Sequence, residues 1–167
     1  MDTVSPEKRS KIMSGIRSRN TMPEIIIRKG LFHQGFRYRI NDKTVFGKPD
    51  IVLKKYHTAI FIHGCFWHGH AGCRNFKIPS SNSAFWTNKI DTNRKRDAEV
   101  LNYLHATGWR ICIIWECAIR GKKQLSLLDD TINKIARWIL SDEIWLEVTS
   151  ESYNLSQEPF FPVPDRD

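Results

Sequence analysis

The chain has 167 residues, of which 41% are hydrophobic, and this length fits one globular domain with one core. No apolar run approaches the roughly 20 residues that a membrane-spanning helix needs, and the N-terminus lacks the apolar segment of a signal peptide. We therefore expect a cytoplasmic protein without a membrane partner. The net charge of +8 favours a polyanionic partner such as nucleic acid, although a generic basic surface is the alternative.

A basic helix is predicted at the N-terminus. Ser5, Pro6 and Glu7 provide an N-cap, a proline at the first helical position and an acidic residue in the first turn. The helix runs to about Arg19 and carries several Lys and Arg side chains, but its apolar side is thin. Because this helix has so little apolar surface to bury, we predict that it is a mobile arm.

The rest of the chain predicts an α/β core. Thr21, followed three residues later by Glu24, matches a capping box and begins a helix that ends at Gly35. Apolar periodicity predicts strands at 36–40, 50–53, 58–62 and 109–115, and further helices at 84–106 and 127–140. This order implies a mixed sheet with helices on both faces. The predicted divisions are an arm at 1–20, a core at 21–141 with a loop at 63–82, and an extension of undefined role at 142–167.

Cysteine and histidine are concentrated in the loop after the third predicted strand. Cys65 and Cys73 enclose His68 and His70, and Cys117 follows the last predicted strand. Three thiolates and one imidazole form a closed tetrahedral site that suits Zn²⁺ and would be structural, because no coordination position is open. Spacing does not decide between the two histidines, and buried free cysteines are the alternative.

A second group of polar residues is typical of a metal-dependent hydrolase. Asp50 begins a predicted strand, His63 ends the next one, and His68 follows in the loop. A carboxylate that binds Mg²⁺, with a histidine that removes a proton from water, can hydrolyse a phosphodiester. Asp97 on the long helix is able to orient a histidine, although an ion pair with nearby Lys and Arg is a strong alternative.

Large aromatic residues lie beside these polar groups. Phe66 and Trp67 directly precede His68 in a polar loop, where they are hard to explain as core. They are candidates for insertion between DNA bases. At the start of the long helix we expect Phe85 to face the core and Trp86 to face outward.

Together these features resemble the Vsr family, the very-short-patch repair endonucleases. The similarity covers roughly residues 5–140 and is specific, because several uncommon blocks occur in order. The matching blocks are His63-Gly-Cys-Phe-Trp-His68, Phe76-Lys-Ile-Pro79, Phe85-Trp86-Thr-Asn-Lys-Ile90, Asn93 with Arg96-Asp97, Gly108-Trp-Arg, Trp115-Glu-Cys-Ala118, Arg9-Ser-Lys-Ile-Met13 and Gly47-Lys-Pro-Asp50.

The resemblance implies a restriction-endonuclease-like fold and a Mg²⁺-dependent nick 5′ to the thymine of a T:G mismatch. It implies that His70, rather than His68, completes the zinc site with Cys65, Cys73 and Cys117. The implied catalytic roles are these: Asp50 and the backbone carbonyl of Ile62 bind Mg²⁺, His68 is the general base, Asp97 orients His68, and His63 and Glu24 assist. Glu24 also has the structural explanation of the capping box.

The resemblance further implies contacts with double-stranded DNA that carries a T:G mismatch. The implied intercalating residues are Phe66, Trp67, Trp86, Met13 and Ile16, and the implied base-contacting residues are Lys89 and Asn93. Mismatch-repair proteins and a companion cytosine methyltransferase are implied partners, and we expect a monomer. Two other functions fit the residues less well: a double-strand restriction endonuclease on the same fold, and a zinc-containing DNA-binding module without catalysis.

Overall fold

The computed structural model describes residues 19–150. Nearly all of the predicted arm, including Met13 and Ile16, and the part of the extension from residue 151 onward lie outside the described residues. Between residues 19 and 150, no helix has both the length and the apolar character needed to cross a membrane.

Four strands and four helices make up the described part of the chain. The helices are α1 (Met22–His33), α2 (Ser83–Ala106), α3 (Lys122–Ser126) and α4 (Leu128–Leu140), and the strands are β1 (Ile51–Leu53), β2 (Thr58–His63), β3 (Arg110–Trp115) and β4 (Trp145–Val148). The strands form one sheet in the order β1-β2-β3-β4, in which β1 is antiparallel to β2 and the other pairs are parallel. The predicted mixed α/β fold is confirmed.

The register of the sheet brings two functional segments together. A 3₁₀ turn at Lys54–Tyr56 connects β1 to β2 as a hairpin, so Ile51 faces Ile60 across the pair. Helix α2 then crosses over to the parallel strand β3, where His63 lies opposite Trp115. Because β2 and β3 are parallel, the segments that follow them leave the sheet at the same edge.

One face of the sheet is covered by α1 and α4, and its core is apolar. Ile27 of α1, and Ile135 and Ile139 of α4, are buried there among strand side chains that include Cys112, which its apolar strand predicts as core. The two helices approach closely at Gly30, where an added Cβ would lie 2.5 Å from a methyl carbon of Ile132. We call this the α1–α4 face.

The opposite face is covered by α2, which buries few of its own side chains. Of the 24 residues in α2, only Ile90 and Leu104 are buried. Val100 and Leu101 are half-buried against the second core cluster, which also contains Cys65 and Cys117. We call this the α2 face.

The predicted strand at 36–40 is wrong. The segment forms a single bridge, in which the N–H and carbonyl groups of Arg39 and Val52 exchange hydrogen bonds of 2.9 and 2.8 Å. Phe36 is buried as the alternation predicts, but Ile40 is half-exposed and Asn41 adopts a left-handed conformation with φ of 48°. The chain therefore turns away from the sheet before a ladder can extend.

Strand β4 lies in the segment that the sequence analysis assigned to the C-terminal extension. Its residues Trp145–Val148 pair in parallel with β3, so the sheet extends past the predicted core boundary at residue 141. The strand has only four residues, and the charged Glu147 interrupts its apolar pattern. Pairing with β3, a contact distant in sequence, therefore determines this strand more than local propensity does.

Candidate active site and metal site

Four side chains converge where the loop after β2 meets the segment after β3. The ligand atoms of Cys65, His70, Cys73 and Cys117 all lie within 4.8 Å of one another. Cys117 lies in the 3₁₀ turn after β3, and its Sγ is 3.6 Å from Nδ1 of His70. These four side chains, which we call the Cys3His cluster, are able to hold a metal ion.

The backbone of the loop sends two neighbouring histidines to different partners. The N–H of His70 donates to the carbonyl of Cys65 at 2.9 Å, which folds the loop back beneath β2. Gly69 between the histidines has φ of 63°, and a Cβ there would lie 2.7 Å from Ile90 of α2. Glycine is therefore required for both the turn and the helix contact. His70 then joins the cluster, while His68 lies on the other side of this turn.

The thiols of the cluster are electrostatically coupled. Hydrogen bonding to Cys117, with burial, raises the pKa of Cys65 far above its usual range. The hydrogen bond from Cys65 lowers the pKa of Cys117 to about 5, despite the opposing effect of burial. The Cys65 thiol therefore donates a hydrogen bond to Cys117, which is present as a thiolate. A cation among the thiols would favour ionisation of both, since a nearby positive charge stabilises thiolates.

A second group contains His63, His68 and Asp97. Nδ1 of His68 is hydrogen-bonded to a carboxylate oxygen of Asp97 on α2. The rings of His63 and His68 are stacked with centroids 3.8 Å apart and planes 2° apart. Burial, reinforced by the charge of His68, lowers the pKa of His63 to about 3, so this imidazole is neutral at physiological pH.

The hydrogen bond to Asp97 defines what His68 can do. Burial raises the pKa of Asp97, but the hydrogen bond and charge of His68 outweigh burial and hold that pKa below its usual value. With Nδ1 engaged by the carboxylate, Nε2 is the nitrogen left to exchange a proton. Ligand atoms of His63, His68 and Asp97 also lie within 4.8 Å of one another. However, the direct hydrogen bond leaves no space for an ion between His68 and Asp97, so the geometry favours proton transfer.

Asp50 lies at the start of β1, beside the end of β2. Its carboxylate accepts a hydrogen bond of 2.7 Å from the backbone N–H of Ile62. Burial raises the pKa of Asp50 to about 6; Glu24 adds to the increase, whereas Ile62, Arg28 and His68 oppose it. The structure therefore brings Asp50 within electrostatic reach of both Glu24 and His68. A half-buried carboxylate near a second acid, with oxygen donors only, suits a hard cation.

Glu24 is held by several donors at the start of α1. The capping box with Thr21 is confirmed, and Glu24 also accepts from the N–H of Asn20 at 3.0 Å. Arg28, one turn later and buried, donates to Glu24 at 2.8 Å and to the carbonyl of Asp50 at 3.3 Å. This pair ties α1 to the beginning of β1.

Comparisons with known proteins identify the family. The family model for DNA mismatch endonuclease Vsr matches residues 1–74. DNA mismatch endonuclease Vsr of Escherichia coli is 36% identical over 155 residues, which cover 92% of this chain and 97% of that protein. The chain belongs to the Vsr family of DNA mismatch endonucleases.

Two nicking enzymes are also similar to this chain. Type II nicking enzyme V.NmeAIP of Neisseria meningitidis serogroup A is 46% identical over 138 residues, covering 83% of this chain and 96% of that protein. Type II nicking enzyme V.XorIIP of Xanthomonas oryzae pv. oryzae is 43% identical over 118 residues, covering 71% of this chain and 86% of that protein. Membership of the Vsr family, with the mixed sheet, confirms the restriction-endonuclease-like fold class.

The aromatic residues that the Vsr resemblance assigned to DNA form one cluster. Phe66 lies with its ring centroid 5.2 Å from Trp67 and 5.3 Å from Trp86, both in edge-on geometry. All three are half-buried. The prediction that Phe85 faces inward is wrong, because Phe85 is 61% exposed and Trp86 is the more buried of the pair. Trp86 turns instead toward the loop aromatics, which offer it a larger apolar contact.

The predicted base-contacting residues both lie on α2. Lys89 is exposed. The side-chain amide of Asn93 donates to the carbonyl of Trp67 at 2.8 Å, so it holds the aromatic cluster against the helix. Arg94 reaches the same loop, where it donates to the carbonyl of Gly69.

Some contributing residues escaped the sequence analysis. Arg28 follows Glu24 by four residues on one helix, and this spacing in the sequence is typical of an ion pair. No local pattern in the sequence predicts the contacts of Arg94, Trp115 and Glu147, because their partners are distant in sequence.

Proposed function

We propose that the protein nicks one strand of duplex DNA 5′ to the thymine of a T:G mismatch. The observation that carries this proposal is the hydrogen-bonded pair of His68 and Asp97 within electrostatic reach of the half-buried carboxylate of Asp50. Membership of a family of mismatch endonucleases supports the same conclusion. The activity is therefore hydrolysis of a phosphodiester with initiation of very short patch repair.

The proposed chemistry uses His68 as general base. Its Nε2 removes a proton from the attacking water, and the Asp97 carboxylate stabilises the imidazolium that results. His63, neutral and stacked on His68, keeps the ring in its plane. Mg²⁺, held by Asp50 and the backbone carbonyl of Ile62, would supply Lewis-acid stabilisation of the phosphate charge. Glu24 assists through its charge, since its oxygens are occupied by the donors described above.

The Cys3His cluster is proposed to bind structural Zn²⁺. Three sulfur donors and one imidazole nitrogen match the preferences of this ion, and the set is closed by protein ligands. The ion would fix the loop that carries both His68 and the aromatic residues, so it would act on catalysis through geometry.

The aromatic cluster supports recognition of a mismatch. Phe66, Trp67 and Trp86 are close enough to act as one wedge at the mouth of the site. Inserting such a wedge costs a few kcal/mol of unstacking per base step, and a mispaired step unstacks more easily. The basic α2 side chain Lys89 lies on the same helix as Trp86, where it is available to contact DNA.

A cleavage assay tests the proposed function. A labelled T:G duplex and a matched T:A duplex are incubated with the protein, with and without Mg²⁺. We expect one nick, in the T:G duplex only, and only with Mg²⁺. Double-strand cleavage of the T:A duplex would instead identify a restriction-type endonuclease, and binding without cleavage would identify a DNA-binding module.

Variants in the site test the residue roles. Asp50→Ala and His68→Ala remove the proposed cation ligand and base, so each should lower the nicking rate by about 10²- to 10⁴-fold while duplex binding persists. Asp97→Asn should lower it because the amide no longer stabilises the imidazolium. Asp91→Asn, an exposed acid on the same helix, is the control and should nick normally. Full activity of Asp50→Ala would remove Asp50 from the site.

A further inference from the structure

Trp115 lies between the two histidine-containing groups, yet it belongs to neither. It is the last residue of β3, and only 9% of it is exposed. On one side its indole stacks on His70 of the Cys3His cluster, with centroids 4.1 Å apart and planes 4° apart. On the other side the ring of His63 stands at 73° to the indole with centroids 5.3 Å apart. Since His63 stacks in turn on His68, the rings form a continuous contact from the cluster to the proposed base.

The orientation of the indole is fixed from β4. The Nε1–H of Trp115 donates to a carboxylate oxygen of Glu147 at 2.6 Å. Glu147 lies opposite Ile113 in the parallel pair, so its side chain is on the same face of the sheet as Trp115. Rotation of the indole would break this hydrogen bond and the stacking on His70 together.

We propose that Trp115 is a positioning residue that couples the Cys3His cluster to the His63–His68 pair, and that Glu147 fixes the indole in the coupling orientation. The proposal rests on the proposed role of His68 as base. It assigns a function to β4, which otherwise supplies no residue to the site.

The coupling has a simple physical basis. His70 is restrained by the loop and by its contact with Cys117, so the indole stacked on it has a defined position. The indole in turn blocks movement of the buried His63 toward the sheet. Replacing it with a smaller side chain leaves a cavity beside His63, into which both stacked imidazoles are able to shift. A base displaced by about 1 Å loses up to about 100-fold in rate.

The chain contains a matched control for this contact. Directly before the first residue of β3, Trp109 stacks on His57 with centroids 4.2 Å apart and planes 20° apart. The two indole–imidazole contacts are chemically alike, but only Trp115 touches the candidate site. Loss of Trp109 therefore reports the general cost of losing such a stack.

The experiment compares Trp115→Leu, Glu147→Leu, Glu147→Gln and Trp109→Leu in the full, zinc-loaded chain. Single-turnover nicking of the T:G duplex, duplex affinity, zinc content and the ring ¹H–¹⁵N resonances of the histidines are measured. We expect Trp115→Leu and Glu147→Leu to nick about 10- to 100-fold more slowly, with affinity within about twofold of the native chain. Their His63 and His68 ring resonances should shift, whereas Glu147→Gln, whose amide oxygen still accepts from the indole, should match the native chain.

The outcomes separate this proposal from the proposed function. Native nicking rates and unshifted His63 and His68 resonances in Glu147→Leu would overturn the coupling, even where Trp115→Leu fails to fold. An equal loss of rate in Trp109→Leu would overturn it too, because the effect would then be general. If the native chain does not nick the T:G duplex, the proposed function fails, and the resonances still decide whether Trp115 positions the two histidines.

Discussion

The α1–α4 face of the sheet buries Ile27, Ile135 and Ile139 almost completely, whereas α2, although twice as long as α1, buries only two side chains on its own face. Specific polar contacts supplement the apolar packing on the α2 face. Arg94 and Asn93 hold the loop, and the Cys3His cluster fixes its path to the segment after β3. The two faces are therefore stabilised by different interactions.

This difference in packing explains why the candidate active-site residues lie on the α2 face. Packing of large apolar side chains excludes water, and the charged side chains buried on α1, Glu24 and Arg28, pair with each other. A face held by the Cys3His cluster and polar contacts keeps His68, Asp97 and the half-buried aromatic residues near solvent, where a substrate can reach them. Substitutions on one face at a time test whether the two faces are stabilised independently.

Loss of the metal should produce the largest effect, and only on the α2 face. Structural zinc contributes on the order of 10 kcal/mol in small zinc-dependent domains. We expect Cys117→Ser to lose the zinc ion that native mass spectrometry counts in the native chain. Amide hydrogen exchange should accelerate across residues 64–82 and remain slow in α4, because the opposite core does not depend on the ion.

The control for this experiment is a cysteine of the other face. Cys112 is fully buried in the α1–α4 core and lies outside the cluster. Cys112→Ala should keep the ion and the slow exchange of the loop. If Cys117→Ser also retains the ion, the Cys3His cluster is not the zinc site.

A cavity in the α1–α4 face should have the opposite pattern. Ile135 is fully buried, so Ile135→Ala should lower the free energy of unfolding by about 2–5 kcal/mol in urea titrations. Zinc content and nicking should be unchanged under conditions where the variant is folded. Leu140→Ala, at a position 66% exposed on the same helix, should change stability by less than about 0.5 kcal/mol. Release of zinc by Ile135→Ala would show that the faces are not independent.

The same contrast explains which parts of the molecule were predictable. The capping box of α1 and the continuous apolar run of β2 are local signals, and both gave the correct element. The concentration of Cys65, Cys73 and two histidines in one short loop indicated a metal site, without deciding between His68 and His70. Strand β4 and Glu147 depend on pairing with a distant strand. Local pattern carries no information on such contacts.

Two misread features show how tertiary contacts override local pattern. The alternation at 36–40 predicts a strand, but the partner β1 is only three residues long and supports one bridge. Trp86 turned toward Phe66 because the loop aromatics, distant in sequence, provide its apolar surroundings. The separation of His68 from His70 likewise rests on a glycine turn, which spacing alone does not reveal.

The ionised carboxylate of Asp50 should lower the free energy of unfolding, and this destabilisation should depend on pH. Burial raises the pKa of Asp50 from 3.8 in the unfolded chain to about 6 in the fold. Below about pH 4 the carboxyl is protonated in both states and has no cost; as pH rises through about 6, ionisation of the buried group becomes unfavourable by on the order of 3 kcal/mol. Asp50→Asn, neutral at every pH, should therefore unfold at higher urea than the native chain at about pH 8.

Urea titrations in Mg²⁺-free buffer check this, and the gain should disappear toward about pH 4. Both proteins contain the Cys3His cluster, so its own titration cancels in the difference. Asp91→Asn, on the exposed surface, should show no such gain. A gain for Asp50→Asn that is equal at both pH values would show that ionisation is not its cause.

The smallest effect should come from a polar contact on the α1–α4 side. Arg110 donates to the carbonyls of Trp138, Ile139 and Glu143 at 2.6, 2.8 and 2.9 Å, and its guanidinium lies over the Trp138 ring. Trp138 and Ile139 lie in the last turn of α4, where carbonyls lack donors within the helix, although Trp138 also accepts from Ser141. Arg110→Lys keeps the charge but loses the planar fork, so it should cost about 1–2 kcal/mol of unfolding free energy in urea titrations.

The position of Arg110 makes this substitution a test of the whole comparison. Arg110 is the first residue of β3, whereas Trp115, which contacts the candidate site, is the last. Loss of the Arg110 contacts should therefore loosen the end of α4 and leave zinc content and nicking unchanged. Arg137→Lys, at an exposed position on α4, controls for the exchange of a guanidinium for an amine and should leave the free energy of unfolding unchanged. If Arg110→Lys slows nicking as well, strand β3 transmits changes along its length. The contacts that stabilise the α1–α4 face would then affect the chemistry on the α2 face.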